Sequence, residues 1–128
     1  MPLDSKEGKK KKLIGFSFAF NGIKEVIKTE HNFRIHIITT FFIVLLGLFF
    51  NITAFEWISI WLVVSLVLIL EMINSVIERI MDFLSPDHHP IVGQIKDITA
   101  GAVLVAAITS AIIGAIIFLP KIMNLLGL

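Results

Sequence analysis

Three carboxylates and one amide lie within an otherwise apolar stretch of the sequence, LILEMINSVIERIMDFL, at residues 68–84. They are Glu71, Asn74, Glu78 and Asp82, at spacings of three, four and four residues. These spacings place all four side chains on one stripe of an α-helix. Ionisable groups in so apolar a helix cost free energy to bury and are usually functional. The stripe is therefore the first candidate for a chemical site.

Depth along the helix separates the roles that these acids can take. A rise of about 1.5 Å per residue puts Glu71 roughly 21 Å beyond Trp57, which is about 9 Å short of the far edge of a hydrocarbon core. A carboxylate at that depth is a candidate general base. Glu78 reaches the membrane boundary, where it can join Glu30 as an oxygen ligand for Mg²⁺. The alternative for any single acid is a structural role, for example as a partner of Arg79.

Charge-free runs predict the elements that carry these residues. The chain has 128 residues, of which 56% are hydrophobic, and its mean hydropathy is +0.91. Residues 35–55 and 98–120 contain no Asp, Glu, Lys or Arg, and a membrane-spanning helix needs about 20 such residues. A third span over 57–81 reaches that length only if the acidic stripe lies inside or at the edge of the membrane. We expect an all-α membrane protein of one domain, residues 1–128, rather than a soluble bundle.

The segment before the first span predicts a helix on the membrane surface. Residues 1–12 form a basic tail, and apolar side chains then recur every three or four positions over 13–29: Leu13, Phe16, Phe20, Ile23 and Ile27. This pattern is typical of an amphipathic helix lying at the interface. The alternative is a helix that packs on its own protein.

Basic residues indicate the orientation. Eight of the 11 Lys and Arg residues lie within 1–34, whereas the short loop 51–56 has none. The positive-inside rule therefore places the N-terminus in the cytoplasm. Three polar clusters then share the cytoplasmic membrane face, around Glu30, Glu78 and Lys96.

The chain contains no cysteine, which excludes disulfide and thiol chemistry, and we expect no signal peptide.

A general base that lies below the membrane surface, next to a metal site, suits phosphoryl transfer from ATP to a lipid hydroxyl at the level of the headgroups. The sequence contains no Walker A motif, kinase Gly-rich loop or dinucleotide-binding fingerprint. The alternative from another class is a small oligomeric proton-coupled transporter, or a membrane assembly subunit, that uses Glu71.

His31 and His36 are five residues apart, and His88 and His89 are adjacent in a loop. Neither spacing favours a shared metal, so we expect no zinc site, and we expect no nucleic-acid partner.

Three blocks of sequence resemble the prokaryotic diacylglycerol kinase family. They are KTEHNFRIH at 28–36, EMINSVIERIMD at 71–82 and KDITAGAVLVAA at 96–107. The resemblance extends over about residues 11–122, with the blocks in the family's order. The family consists of small trimeric membrane lipid kinases, including undecaprenol kinases. It implies a fold with an N-terminal surface helix and three transmembrane helices, in the bacterial inner membrane.

The resemblance also implies roles for individual residues. Glu71 would be the catalytic base, and Glu30 and Glu78 would be the Mg²⁺ ligands that hold ATP. The residues that it places around the nucleotide are Lys11, Phe18, Glu30, Asn74, Glu78, Asp87, His88, His89, Lys96 and Asp97. Two of them depart from the family's pattern, because enterobacterial members carry an arginine where this chain has Lys11 and a tyrosine where it has Phe18.

Association and substrate choice depend on weaker signals. Small residues recur every four positions on the third span: Ala102, Ala106, Ser110 and Gly114. Such stripes let helices pack closely in lipid, within one subunit or between subunits, and the resemblance implies a homotrimer. The motifs FRIH at 33–36 and IFLPK at 117–121 resemble Gram-positive members of the family. We therefore favour undecaprenol over diacylglycerol as the substrate.

Overall fold

The computed structural model describes residues 5–87 and 89–128, with side chains from Gly15 onward. It contains four helices: α1 over Ser5–Thr29, α2 over His31–Phe49, α3 over Ala54–Leu84 and α4 over Pro90–Leu126. No strand occurs in these two ranges. Helices α2, α3 and α4 are each long and apolar enough to cross a membrane. The predicted all-α fold with three membrane helices is confirmed.

The first helix belongs to a separate structural unit that ends at His31, and the second unit covers Asn32–Leu128. The predicted surface helix over 13–29 is part of α1, which begins earlier, at Ser5. The basic run at residues 9–12 lies within this helix, and lysine is a good helix former. The apolar side chains of Phe16 and Phe20 are exposed. Contact of this helix with a membrane surface remains a prediction.

A tight connection joins α2 to α3 inside the predicted first span. Helix α2 ends at Phe49, and Asn51 has a φ of 48°, a left-handed conformation that asparagine tolerates better than most residues. Thr53 then caps α3, because its hydroxyl accepts a hydrogen bond from the Glu56 N–H while the Glu56 carboxylate accepts one from the Thr53 N–H. These residues, apart from Glu56, are uncharged, so the charge-free run at 35–55 extends through the turn.

The end of the second unit next to this connection is closely packed, and we call it the turn end. Its buried apolar cluster consists of Ile52, Ile60, Val64, Ile117 and Phe118. Gly47 on α2 lies so close to the Trp57 ring that an added Cβ would be 2.6 Å from Trp57 Cη2. Across the same end, Lys121 Nζ of α4 donates to Glu56 Oε1 of α3 over 2.8 Å. These contacts fix the register of α3 against α4.

Candidate functional site

The acidic stripe lies on the half of α3 remote from the turn end, and we call this half of the second unit the acidic end. Glu71 is buried, at 6% exposure. One turn further along, the Asn74 Nδ2 amide donates to Glu78 Oε1 over 3.1 Å. The predicted common face of the helix is therefore confirmed for these residues. Ser75, which is also buried, was not among the predicted residues.

The structure adds a residue that the sequence analysis did not place in the site. His36 of α2 lies against α3, with its Nε2 at 3.3 Å from Glu71 Oε1. The sequence carries one signal for this contact, since His36 is a polar residue in the charge-free run at 35–55. The pairing itself depends on how α2 and α3 are aligned, which the spacing of residues within one helix does not specify.

A second contact between helices brings α4 to the acidic stripe. Lys96 Nζ donates to Asp82 Oδ1, at the last position of the stripe. The Lys96 side chain is half-buried, and Asp97 beside it is exposed. The structure therefore brings Lys96 of α4 to the Asp82 end of the acidic stripe. A cation at this place can neutralise phosphate oxygens that approach the stripe.

The donor atoms near Glu78 fit a magnesium ion that is held together with a nucleotide. Among the side chains from Gly15 onward, residue 88 aside, no three His, Asp or Glu residues form a cluster able to hold a metal on their own. Magnesium, however, is usually bound by one or two carboxylates and completed by substrate phosphates and waters. Asn74 Oδ1 is buried and accepts no hydrogen bond in this part of the chain. An amide oxygen that accepts no other hydrogen bond and lies beside a carboxylate can bind such an ion directly. It can also accept a hydrogen bond from a water molecule bound to the ion.

The other predicted residues occupy the connections between helices. Glu30 lies between α1 and α2, in the N-terminal unit, and its Oε1 accepts a hydrogen bond from the Thr29 hydroxyl over 3.2 Å. Its pairing with Glu78 at one metal stays a prediction. Asp87 is exposed, and His89 caps α4 by accepting the Ile91 N–H on its Nδ1 over 3.3 Å.

Three predicted nucleotide contacts remain. Phe18 lies on α1 and is exposed. His88 and the side chain of Lys11 fall outside the part of the chain that the structure describes. Their roles, like those of the residues above, stay predictions.

An apolar cavity of about 490 Å³ lies between α2, α3 and α4. Its walls include Val64 and Val67 of α3 and Phe118 of α4, and its few polar groups include His36 and Ser110. Val67 is one helical turn before Glu71, and His36 contacts Glu71 directly. The cavity therefore reaches the neighbourhood of the buried carboxylate through His36, although Glu71 itself does not line it.

Three membrane-length helices that carry a buried carboxylate and an acidic stripe are typical of an integral membrane protein with a polar functional site. Residues 17–118 match the family of prokaryotic diacylglycerol kinases. The chain belongs to that family and is a membrane lipid kinase, with a lipid as phosphate acceptor and ATP as co-substrate. The transporter and assembly-subunit alternatives are thereby set aside.

Individual relatives carry two different names. An undecaprenol kinase of Bacillus subtilis is 38% identical over 107 residues, which are 84% of this chain and 87% of the relative. A diacylglycerol kinase of Synechocystis is 32% identical over 115 residues, which are 89% of this chain and 66% of the relative. The diacylglycerol kinase of Escherichia coli K12 is 27% identical over 95 residues, 74% of this chain and 78% of the relative.

Proposed function

We propose that this lipid kinase phosphorylates undecaprenol in preference to diacylglycerol, using Mg-ATP. The observation that carries the lipid alcohol as phosphate acceptor is the burial of Glu71 beside the apolar cavity, because a lipid alcohol cannot lift its hydroxyl far out of the membrane. A base that serves such a hydroxyl has to lie below the membrane surface, whereas a base for a soluble substrate does not.

In this mechanism, Glu71 accepts the proton of the lipid hydroxyl as the hydroxyl oxygen attacks the γ-phosphorus of ATP. A new bond forms between that oxygen and phosphorus, the bond from the γ-phosphorus to the bridging oxygen breaks, and ADP leaves. The cavity orients the lipid chain, so that its hydroxyl meets Glu71 and water is excluded from the reacting groups.

Glu30 and Glu78 are the proposed Mg²⁺ ligands, and Asn74 supports Glu78 through its hydrogen bond. A bound magnesium ion supplies neutralisation of the charge that spreads over the phosphate oxygens. Lys96 adds a cation on the same side of α3. The remaining proposed nucleotide contacts are Lys11, Phe18, Asp87, His88, His89 and Asp97.

The preference for undecaprenol is supported by the relative of that name, which has a higher identity to this chain than the two diacylglycerol kinases cited with it. Diacylglycerol is the second candidate, since both lipids present a primary hydroxyl on an apolar tail. The test offers both lipids in equal amounts to the purified protein with Mg-ATP, and the phosphorylated products are separated and identified. A larger kcat/KM for diacylglycerol would overturn the preference. Absence of phosphate transfer to either lipid would overturn both candidate substrates.

We further propose a homotrimer in the bacterial inner membrane, with the N-terminus in the cytoplasm. An added Cβ at Gly114 meets no atom within 4 Å among the described residues, and Ala111 and Ala115 are exposed. These residues also line the apolar cavity, and small residues at this spacing let helices of neighbouring subunits pack closely in lipid. Cross-linking in native membranes tests the trimer, and protease protection of a tag at each terminus tests the orientation.

A further inference from the structure

His36 lies on α2 between Ile35 and Ile37, and its imidazole meets the most deeply buried acid of the acidic stripe. Its Nε2 lies 3.3 Å from Glu71 Oε1, and the Glu71 side chain is only 7% exposed. A carboxylate removed from water requires a polar or cationic partner to offset its lost hydration. The imidazole therefore belongs to the immediate surroundings of the proposed base.

His36 lies beside two threonines on the wall of the apolar cavity. Thr40 Oγ1 donates to the His36 carbonyl over 2.7 Å, one turn further along α2. His36 and its neighbours Thr39 and Thr40 also line the apolar cavity. The side chain of His36 consequently touches both the base and the space that a lipid would occupy.

We propose that His36 is a positioning residue, whose Nε2 holds one oxygen of the Glu71 carboxylate so that the other is oriented toward the lipid hydroxyl. This inference rests on the proposed function, in which Glu71 accepts the hydroxyl proton. Nε2 carries a proton in this arrangement and donates it in a hydrogen bond, without transferring it. A purely structural histidine would instead stabilise the fold and leave the turnover of folded protein unchanged.

The test compares three replacements of His36. Gln places an amide N–H at about the reach of Nε2, Asn places it one methylene short of that reach, and Leu removes the donor while keeping an apolar volume. Phe42→Leu is the control, because Phe42 lies on the same helix and its side chain is exposed. Each purified variant is assayed for kcat, for KM toward ATP and toward the lipid, and for thermal unfolding.

We expect His36→Leu and His36→Asn to lower kcat by about 10²-fold, since a misplacement of about 1 Å near the reacting groups can cost that much. KM for ATP should stay constant, because His36 is not among the proposed nucleotide contacts. His36→Gln should retain most of the turnover, and Phe42→Leu should match the parent. Equal kcat values for the Gln and Asn variants would overturn the proposal, and so would a loss confined to KM for ATP.

A double-variant cycle shows whether His36 acts through Glu71. In the Glu71→Gln background, His36→Leu should change the residual turnover by less than about twofold, because residues that act as a unit are non-additive. A further loss as large as that seen in the parent background would show that His36 acts elsewhere and would overturn the proposal. If His36→Leu does not fold, the same cycle with His36→Asn replaces it.

The proposed function and this inference fail in different measurements. The proposed function is wrong if the parent protein phosphorylates neither lipid, and the proposed role of His36 is then wrong as well. The role of His36 fails alone if the parent is active, Glu71→Gln is inactive, and the His36 variants keep the parent kcat.

Discussion

The turn end and the acidic end of the second unit use polar residues in opposite ways. At the turn end, Glu56 is bonded to the Thr53 backbone and to Lys121, next to a buried apolar cluster. At the acidic end, Glu71 is buried, and Asn74 leaves a buried amide oxygen without a hydrogen bond from the described residues. The polar residues named at the turn end are paired with one another, whereas the acidic end buries one amide oxygen without a hydrogen bond from the described residues.

This difference indicates where stability and function are located. Removing a contact at the turn end should reduce stability and leave the chemistry of folded protein unchanged. Removing a polar group at the acidic end should reduce turnover without reducing stability. Burying a carboxylate costs free energy, so a buried acid usually serves a function. Variants at the two ends therefore test whether stability and activity depend on different residues.

The largest effect is expected for Glu71→Gln. Glutamine keeps the size and hydrogen bonding of the side chain but does not accept the hydroxyl proton. General-base catalysis typically contributes about 10²–10⁴-fold, so turnover should fall by that amount while Mg-ATP binding persists. Thermal stability should be equal or higher, because a buried charge is removed. Near-parent turnover in a folded variant would exclude Glu71 as the base.

The next effect is expected for Glu78→Gln, which neutralises a proposed magnesium ligand. The Mg²⁺ concentration for half-maximal turnover should rise by about 10–100-fold, as is usual when groups around a metal are altered. High Mg²⁺ should partly restore activity. Glu56→Gln is the matched control, being the same replacement at the turn end, and it should leave the magnesium titration unchanged. Parallel titrations of both variants provide the measurement, and identical curves would remove Glu78 from the metal role.

Much of this arrangement could be predicted from local patterns in the sequence. The spacing of Glu71, Asn74 and Glu78 specifies one helix face whatever packs against it, and the apolar run before Glu71 predicts its depth in the membrane. Charge-free runs also specified three membrane-length helices. Helix ends were predicted less well, since Asn51 and Thr53 form a turn without adding charge.

Contacts between helices could not be predicted in this way. The His36–Glu71 contact and the Lys96–Asp82 pair both depend on the register of one helix against another. Packing at the turn end contributes to this register between helices, since Gly47 of α2 leaves room there for the Trp57 ring of α3. No spacing within a single segment encodes that fit. Ser75 was missed for a related reason, because a small hydroxyl residue in a helix carries no pattern of its own.

Gly47→Ala should show how much the close packing at the turn end contributes. The added Cβ would lie 2.6 Å from Trp57 Cη2, so the ring or the helix has to move. Overpacking of this kind usually costs about 1–3 kcal/mol. Gly101→Ala is the control, since its Cβ would meet no described atom within 4 Å. Unfolding in detergent measures both. Equal stability of the two variants would contradict the assigned tight contact.

The smallest effect is expected for the pair between Glu56 and Lys121, and its variants separate two contributions. Glu56→Gln removes the charge but keeps a side chain able to complete the capping box with Thr53, whereas Glu56→Ala removes both. The melting temperature should therefore fall slightly for Glu56→Gln and further for Glu56→Ala.

Lys121→Met should match Glu56→Gln, because each removes the same pair, and the double variant should be no less stable than either single one. Ion pairs that water reaches contribute little and weaken in salt, so high salt should reduce the difference from the parent. Turnover per folded molecule should not change in any of the three. If folded Glu56→Gln lost as much turnover as is expected for Glu71→Gln, the turn end would take part in the chemistry. The assignment of stability to the turn end and of activity to the acidic end would then be wrong.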